Sequence, residues 1–392
     1  MIPYAHQDIN EDDIRAVSEV LRSDNLTQGP AIAHFEQTVA RYCGAQYAVA
    51  VSSATAALHI ACLAAGLGKD DLLWTSPITF VASANCALYC AAHPDFVDIN
   101  SDTYNLDVIE LEEKLILARE TGQLPKIVIP VHFAGQSCEM EKISELSKQY
   151  GFSVIEDASH AIGGRYQGSV VGSCAFSDMT VFSFHPVKII TTGEGGMVLT
   201  NRQDYYERLV RLRGHGITRD PAQMEGKPDG PWYYQQIELG FNYRITDIQA
   251  ALGTSQFKRL SEFVSYRQHL ARRYHRLLSG LPLVLPLQHP DTYSAFHLYV
   301  VRVDLTKIRK THRQIFEELR QNGIGVNLHY IPVHLQPHYQ RRGFRPGDFP
   351  RAEQYYREAL SLPLYFGLSE SKQDLVVEVL SRILSDPPRG DV

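Results

Sequence analysis

Short runs of β-branched and apolar residues alternate with amphipathic segments through the first two thirds of the chain. The apolar runs predict strands, because they are brief and are bounded by polar or glycine-containing turns. The segments between them repeat their apolar residues with a helical period, which is typical of helices that bury one face. This alternation predicts βαβ units and a mainly parallel sheet covered on both faces.

The predicted strands of this region are residues 47–53, 72–77, 95–99, 126–133, 153–158, 180–184 and 195–201. The predicted helices are residues 54–66, 79–91, 107–119 and 140–151. In such sheets ligands bind outside the carboxyl ends of the strands, where the loops emerge. Side chains that follow those strand ends are therefore the first candidates for a functional site.

The pattern changes near residue 246. Beyond it we predict one long helix or two abutting helices, then strands and helices that alternate, at residues 246–280, 295–303, 312–323, 326–332 and 370–384. We therefore expect a large domain over residues 1–246 and a smaller C-terminal α/β domain over residues 247–392, as a chain of 392 residues favours. The stretch 216–234, dense in Gly, Pro and Asp, predicts a long mobile loop of the kind that often serves function.

Composition indicates a soluble protein, with 44% hydrophobic and 21% charged residues. A net charge of -6 argues against a nucleic-acid binder, although local basic residues could hold a phosphorylated small molecule. The N-terminal sequence MIPYAHQDINEDDI lacks a basic segment followed by an apolar one, and no later segment has the apolar length of a membrane span. We therefore expect a cytoplasmic protein.

The six cysteines form no C-x-x-C pair, and disulfides are rare in proteins without a secretion signal. Cys86 and Cys90 are four residues apart in an apolar stretch, a spacing that places both on one helix face. Core packing explains this pair better than metal binding, and no metal site is expected.

The segment VSSATAAL (51–58) runs from a strand end into a helix whose first turn is small and polar. Helix N-termini present unpaired N–H groups and the positive end of the helix dipole, which suits a phosphate. Taken alone the segment favours a simpler reading, in which Ser53 only caps the helix.

The segment SVIEDASHAIGG (153–164) ends an apolar strand in Glu156 and Asp157, with His160 three residues further on. A carboxylate at the carboxyl end of a sheet strand is placed to meet a ligand. The alternative, in which Asp157 only caps the next segment, explains the same residues equally well.

The segment SFHPVKIITTGEGG (183–196) sets Lys188 among apolar residues. A lysine is usually a solvated surface cation, but buried lysines with a lowered pKa act as bases or form Schiff bases. A helix N-terminus, a strand-end carboxylate and a sheltered lysine on a parallel α/β scaffold are the parts that a pyridoxal 5'-phosphate (PLP) site requires. A phosphate-loop NTPase is excluded because the glycines follow the lysine, and no G-x-G-x-x-G motif indicates a dinucleotide.

Seven segments together resemble the sugar aminotransferases of the DegT/DnrJ/EryC1/StrS family. They are NLTQGP (25–30), SSATAALH (52–59), PITFVASANC (77–86), EDASHAIGG (156–164), FSFHPVKIITTGEGG (182–196), RLRGHGI (211–217) and LGFNYRITDIQAALG (239–253). They follow the family's order over nearly the whole chain. The resemblance implies an α/β fold of the aspartate-aminotransferase type (fold-type I PLP-dependent transferase), with a mainly parallel sheet in the large domain.

By matching position, the resemblance implies that Lys188 forms the imine with PLP and that Asp157 pairs with the pyridine nitrogen. It places His160 beside the ring near its phenolic oxygen and Phe80 on the opposite ring face. The phosphate would be held by Ala54, Thr55, Ser183 and, from a second subunit, Asn242. A homodimer is therefore expected.

Within the family, the pattern including VNLHYIPVHLQPHY (326–339) is most similar to the pseudaminic acid branch. This implies transfer of the amino group of L-glutamate to C4 of a UDP-linked 4-keto-6-deoxy-N-acetylhexosamine. The implied sugar-nucleotide contacts are Tyr4, Asp24, Asn25, Leu26, Thr27, Ala54, Ser183, Asn327, Leu328, His329 and Tyr330.

Three alternative functions were compared with the sequence. A sister 4-aminotransferase of the bacillosamine, perosamine or 4-aminoarabinose type shares much of the pattern. A 3-dehydratase of the same family would carry histidine in place of Lys188. A non-catalytic binding protein on the same fold would lack Lys188 or Asp157 or carry a DNA-binding segment, and the sequence shows neither feature.

Overall fold

The computed structural model describes residues 1–385. Its strands are β1 Tyr47–Val51, β2 Leu72–Thr75, β3 His93–Phe96, β4 Ile127–Ile129, β5 Ser153–Asp157, β6 Arg165–Tyr166, β7 Ser169–Val170, β8 Met179–Ser183, β9 Gly196–Thr200, β10 Ile217–Thr218, β11 Gln235–Gln236, β12 Leu283–Val284, β13 Thr292–Tyr293, β14 Tyr299–Val303 and β15 Ala359–Leu362.

Its α-helices are α1 Glu11–Leu21, α2 Pro30–Cys43, α3 Ala54–Ala64, α4 Ala82–Tyr89, α5 Val108–Thr121, α6 Met140–Tyr150, α7 Gln203–Arg213, α8 Asp247–Phe257, α9 Leu260–Leu277, α10 His312–Gln321, α11 Pro337–Gln340, α12 Pro350–Glu358 and α13 Glu370–Leu384. Three short 3-10 helices cover Phe133–Gly135, Pro221–Gln223 and Val333–Leu335. Among residues 1–385, no helix is both long enough and apolar enough to cross a bilayer.

A seven-stranded sheet forms the centre of the molecule, in the order β1-β9-β8-β5-β4-β2-β3. The strands from β8 to β3 pair in parallel, whereas β9 runs antiparallel to both β8 and β1. All seven strands coincide with strands predicted from the sequence, within a few residues at each end. The prediction of a mainly parallel sheet is confirmed.

Helices cover both faces of this sheet. Successive strand residues point to opposite sides, so buried strands present apolar side chains to both layers of helices. In β1, Val49 and Val51 join the core under α3, α4 and α7, whereas Ala48 and Ala50 join the core under α2 and α8. A third cluster under α5 and α6 extends the second face. The six cysteines are all free and buried, and Cys86 and Cys90 lie in the first of these cores, as expected from their spacing.

The smaller unit has a core of its own around the three-stranded sheet β12-β14-β15, which packs against α9, α10 and α13. The region 246–280 forms two helices, α8 and α9, separated by two residues. Helix α8 packs against α1 and α2 of the larger unit. Helix α9 contributes to the core of the smaller unit and also to the core under α2 and α8. The domain boundary at residue 246 stays a prediction.

The segment 326–332 is not a strand, contrary to its apolar pattern. Only Asn327 pairs with the sheet, through Ser361 at the end of β15. Beyond it, the His329 carbonyl accepts a hydrogen bond from the Tyr355 hydroxyl at 2.5 Å. Just after the segment, the Val333 amide donates to the Pro77 carbonyl at 2.9 Å, so the segment is held by a side chain and a loop from distant parts of the chain.

The stretch 216–234 was predicted as a long loop, and most of it lacks regular structure. It contains the two-residue strand β10, which pairs with β11, and the 3-10 helix Pro221–Gln223. Trp232 is exposed at the far end of the loop.

Candidate active site

A cavity of about 700 Å³ opens at the carboxyl ends of β5 and β8, beside the start of α3. Parallel strands bring their carboxyl ends to one edge of the sheet, so residues far apart in sequence meet there. The cavity is lined by residues from three of the segments singled out in the sequence, at Ser53 to Thr55, Asp157 to His160 and Ser183 to Lys188.

Lys188 lies in the turn after β8 and lines this cavity while being partly buried. Its backbone amide donates to the His185 carbonyl at 2.9 Å, which holds the turn in place. Among residues 1–385, its Nζ has no hydrogen bond within 3.5 Å and no ion pair within 4.0 Å. Desolvation lowers the pKa of Lys188 to about 8, and the negative charge of Asp157 opposes that shift. About a tenth of the amine is therefore uncharged at pH 7, compared with well under a thousandth for an ordinary lysine.

Asp157 is the last residue of β5 and is buried at the cavity wall. Its Oδ2 accepts a hydrogen bond from the Ser83 hydroxyl at 2.6 Å, and its Oδ1 accepts from the Ser159 amide at 3.1 Å. The Ser83 hydroxyl in turn lies 2.7 Å from the Thr79 hydroxyl. The carboxylate is therefore fixed by two donors.

Glu156 lies on the opposite side of β5, away from the cavity. Its carboxylate accepts hydrogen bonds from His132 Nε2 at 2.6 Å, Ser177 Oγ at 2.5 Å and Thr180 Oγ1 at 3.0 Å. Burial by itself would raise the pKa of Glu156, but these partners hold it below its usual value. Of the two adjacent acids, only Asp157 faces the cavity.

The first turn of α3 lines the cavity with Ala54 and Thr55. Ser53 is the N-cap, as the simpler reading of the sequence suggested, and its hydroxyl accepts from the Ala56 amide at 3.1 Å. The other amides of a first helical turn have no partner inside the helix. A Cβ on Gly196 would come within 2.5 Å of the Ala54 nitrogen, so β9 begins directly against this helix start.

Aromatic and histidine side chains line the rest of the cavity. Phe80 is 58% exposed there, an unusual state for a large apolar side chain, while His160 is buried. Desolvation, followed by the charge of Lys188, holds the pKa of His160 well below its ordinary value. Desolvation and Lys188 also lower the pKa of His329 to about 3. These histidines are therefore neutral.

Of the residues implied for substrate binding, Tyr4 and the run Asn327 to Tyr330 line the cavity, together with Ala54 and Ser183. The run Asp24 to Thr27 and Asn242 do not line it; both are exposed. Thr27 pairs with Thr246, four residues after Asn242, whereas Asn242 itself pairs with Gly214.

Ser83 and His297 are among the residues at the site that the sequence reading missed. Ser83 lies within PITFVASANC, where its small polar side chain gave no sign that it would reach Asp157. His297 lines the cavity from a loop before β14, and its ring lies 4.4 Å from that of His160. Its sequence context, AFHLYVVRV, indicated only a strand.

The same fold occurs in solved structures that are described as aminotransferases. An aminotransferase of Helicobacter pylori involved in the biosynthesis of pseudoaminic acid is 30% identical, covers 98% of this chain and 99% of its own, and superposes with a TM-score of 0.88. A protein of Streptococcus pneumoniae in its PMP form is 28% identical with a TM-score of 0.88, covering 98% and 99% of the two chains. The fold and the cavity define a PLP-dependent transferase of fold type I.

The family model of the DegT/DnrJ/EryC1/StrS aminotransferases matches residues 7–381. The chain belongs to this aminotransferase family, as its seven segments indicated. A Bacillus subtilis protein named for spore coat polysaccharide biosynthesis is 39% identical over 386 residues, covering 98% of this chain and 97% of that protein. The UDP-4-amino-4,6-dideoxy-N-acetyl-β-L-altrosamine transaminase of a Campylobacter jejuni strain is 35% identical over 391 residues, covering 100% and 99%.

PLP is the cofactor of this enzyme, and the cavity has the groups to receive it. The unpaired Lys188 amine, the Asp157 carboxylate held by Ser83 and the open amides of α3 occupy one cavity. These are a nucleophile, an acceptor for a protonated ring nitrogen and an anion site, which are the three features that the cofactor requires.

Proposed function

We propose that this enzyme transfers the amino group of L-glutamate to C4 of a UDP-linked 4-keto-6-deoxy-N-acetylhexosamine, giving UDP-4-amino-4,6-dideoxy-N-acetyl-β-L-altrosamine. The observation that carries the proposal is the Lys188 amine, which has no hydrogen-bond or ion-pair partner among residues 1–385 and a pKa of about 8, in the same cavity as Asp157. An amine in that state can form a covalent bond to a carbonyl and can also move protons.

Bound PLP supplies an electron sink for the charge that develops at the reacting carbon. Asp157 holds the ring nitrogen protonated, and Ser83 holds Asp157 in place at 2.6 Å. Lys188 Nζ takes a proton from the α carbon of glutamate and, in the second half-reaction, delivers one to C4 of the sugar. Phe80 would lie on one face of the ring, and His160 would lie beside it near its phenolic oxygen.

The α3 start, at Ala54 and Thr55, and Ser183 at the end of β8 hold the cofactor phosphate. Unpaired amides at a helix N-terminus favour an anion without needing a basic side chain. The close approach of Gly196 to Ala54 sets the position of this helix start against the sheet.

The sugar nucleotide occupies the part of the cavity formed by Tyr4 and by Asn327 to Tyr330. This wall has amide, imidazole and phenol groups that match the hydroxyl, amide and phosphate oxygens of a UDP-sugar. The name of the Campylobacter jejuni relative supports the altrosamine product. The name of the Bacillus subtilis relative is more general, so a sister 4-aminotransferase is the outcome that the test must distinguish.

Asn242 and the run Asp24 to Thr27 complete the site of a second subunit in a homodimer. Asn242 and this run are exposed, and the run is tied to the chain shortly after Asn242, by the Thr27–Thr246 pairing and by the Leu26 carbonyl, which accepts from the Asp247 amide at 3.0 Å. One surface of each protomer can therefore present both segments to its partner.

A substrate panel tests the proposed reaction. The enzyme, glutamate and PLP are incubated with UDP-, dTDP- and GDP-linked 4-keto-6-deoxy sugars, and the aminated products are identified by NMR. We expect amination at C4 of the UDP-N-acetyl sugar with the L-altro product. Preference for another nucleotide or another ring stereochemistry would assign the enzyme to a sister activity, and dehydration without amination would refute the reaction type.

Lys188→Arg tests the role of the lysine. Arginine keeps a positive charge but cannot form the imine, so we expect loss of the lysine-bound cofactor absorbance and at least about a thousandfold loss of turnover. Lys142→Arg is the matched control, since Lys142 is exposed on α6, outside the cavity, and pairs with Glu145. Turnover retained in Lys188→Arg would exclude Lys188 as the reacting amine.

A further inference from the structure

Three side-chain and backbone groups form a hydrogen-bonded chain along one wall of the cavity. The Ala134 amide donates to His160 Nδ1 at 3.3 Å, and His160 Nε2 lies 3.1 Å from the Tyr330 hydroxyl. Ala134 has a positive φ of 57° inside the 3-10 helix, and this turn directs its N–H toward the imidazole.

The backbone amide sets the direction of this chain. Because Ala134 can only donate, Nδ1 of His160 must be the nitrogen with the lone pair. A neutral imidazole then carries its single proton on Nε2, and burial together with the charge of Lys188 keeps the pKa of this ring well below normal. His160 Nε2 therefore donates to the Tyr330 oxygen.

The Tyr330 hydroxyl proton consequently has to point elsewhere. Among the described residues, His160 is the only hydrogen-bond partner of this hydroxyl. Burial raises the pKa of Tyr330, so the phenol keeps its proton. Tyr330 lines the same cavity as Lys188, and a ligand there can supply the missing acceptor.

Ring packing fixes the two side chains of this hydrogen-bonded chain, His160 and Tyr330. The His160 and Tyr330 rings are nearly parallel, with an angle of 22° and centroids 6.2 Å apart. His297 packs 4.4 Å from the His160 ring, and Phe133 meets Tyr330 edge-on at 6.3 Å. The hydroxyl direction is thus set before a substrate binds, which reduces the ordering cost of binding.

We infer that Ala134, His160 and Tyr330 form a directed chain that presents the Tyr330 hydroxyl as a hydrogen-bond donor to an acceptor oxygen of the keto sugar. This inference rests on the proposed function, because it takes the keto sugar as the second substrate. Tyr330 then selects for an oxygen acceptor at that position, and an N–H group placed there would meet another donor.

Tyr330→Phe removes the hydroxyl and keeps the ring, and the two half-reactions are followed separately in single turnovers by cofactor absorbance. We expect kcat/KM for the sugar half-reaction to fall about tenfold, as for loss of one neutral hydrogen bond, with the glutamate half-reaction nearly unchanged. Tyr266→Phe is the control, because Tyr266 donates to the Leu368 carbonyl at 2.8 Å outside the cavity. Equal losses in both half-reactions, or no loss in either, would overturn the inference.

A neutron structure of the perdeuterated holoenzyme reads the chain directly, without turnover. We expect deuterium on Nε2 of His160 and none on Nδ1, with the Tyr330 deuterium directed away from His160. Deuterium on Nδ1 would overturn the chain even if the enzyme aminates the expected sugar. Failure of the wild type to aminate any keto sugar would instead refute the proposed function, and with it the sugar acceptor, while this measurement still decides the direction.

Discussion

Replacing Lys188 by methionine should stabilise the apoprotein while abolishing its activity. The perturbation exchanges an amine in a desolvated site for an uncharged side chain of similar length. The folded-state pKa of about 8, against an ordinary value of 10.5, means that folding at neutral pH works against protonation of this group. Two and a half pKa units correspond to about 3 kcal/mol.

The pH dependence follows from proton linkage. Between about pH 8 and 10.5 the unfolded chain binds more protons at Lys188 than the folded chain does, so the free energy of unfolding of the wild type rises with pH. Below pH 8 both states are protonated and the penalty is complete. The advantage of Lys188→Met should therefore be about 3 kcal/mol at pH 7 and about 1 kcal/mol at pH 9.5.

Urea unfolding of the two apoproteins at equal protein concentration measures this difference at both pH values. Lys142→Met is the control, because Lys142 is exposed and the Glu145 hydrogen bond raises its pKa; its removal should give no gain that fades toward high pH. A wild type at least as stable as Lys188→Met at pH 7, or a difference equal at pH 7 and 9.5, would refute the reasoning.

Three further substitutions test the supports of the site. Ser83→Ala removes the 2.6 Å donor to Asp157 and should lower the free energy of unfolding by about 2 kcal/mol in urea titrations; an unchanged midpoint would contradict this. Gly196→Ala places a Cβ 2.5 Å from the first amide of α3 and should weaken PLP binding about tenfold or more, as measured by PLP retention on dialysis. Retention equal to that of the wild type would show that this contact does not position the phosphate site. His132→Ala leaves the Glu156 carboxylate buried without its main partner and should cost about 3 to 5 kcal/mol. Because the folded pKa of Glu156 is lowered, its share of wild-type stability is present above about pH 4.5 and lost as pH falls through the folded pKa, which acid titration of both proteins measures.

Much of the fold was predictable because the strands of the large sheet can be recognised from the local pattern of apolar and polar residues. The seven central strands are short apolar runs bounded by turns, and their boundaries agree with the structure within a few residues. The exception is the segment 326–332, which has the composition of a strand. Its long-range backbone partners are Ser361 and the Tyr355 hydroxyl, and the Val333 amide just after it donates to the Pro77 carbonyl. These contacts depend on distant parts of the chain.

The sequence by itself determined that an amine, a carboxylate and a helix start each follow the end of a strand. In a mainly parallel sheet such ends lie at one edge, so the three groups were expected to meet. Only the tertiary structure decided which of the paired acids serves the site, since strand alternation sends Glu156 into the His132 network and Asp157 to the cavity. It also decided the state of the amine. Residue identity assigns lysine a pKa near 10.5, and the value of about 8 arises from the desolvation that the assembled cavity imposes.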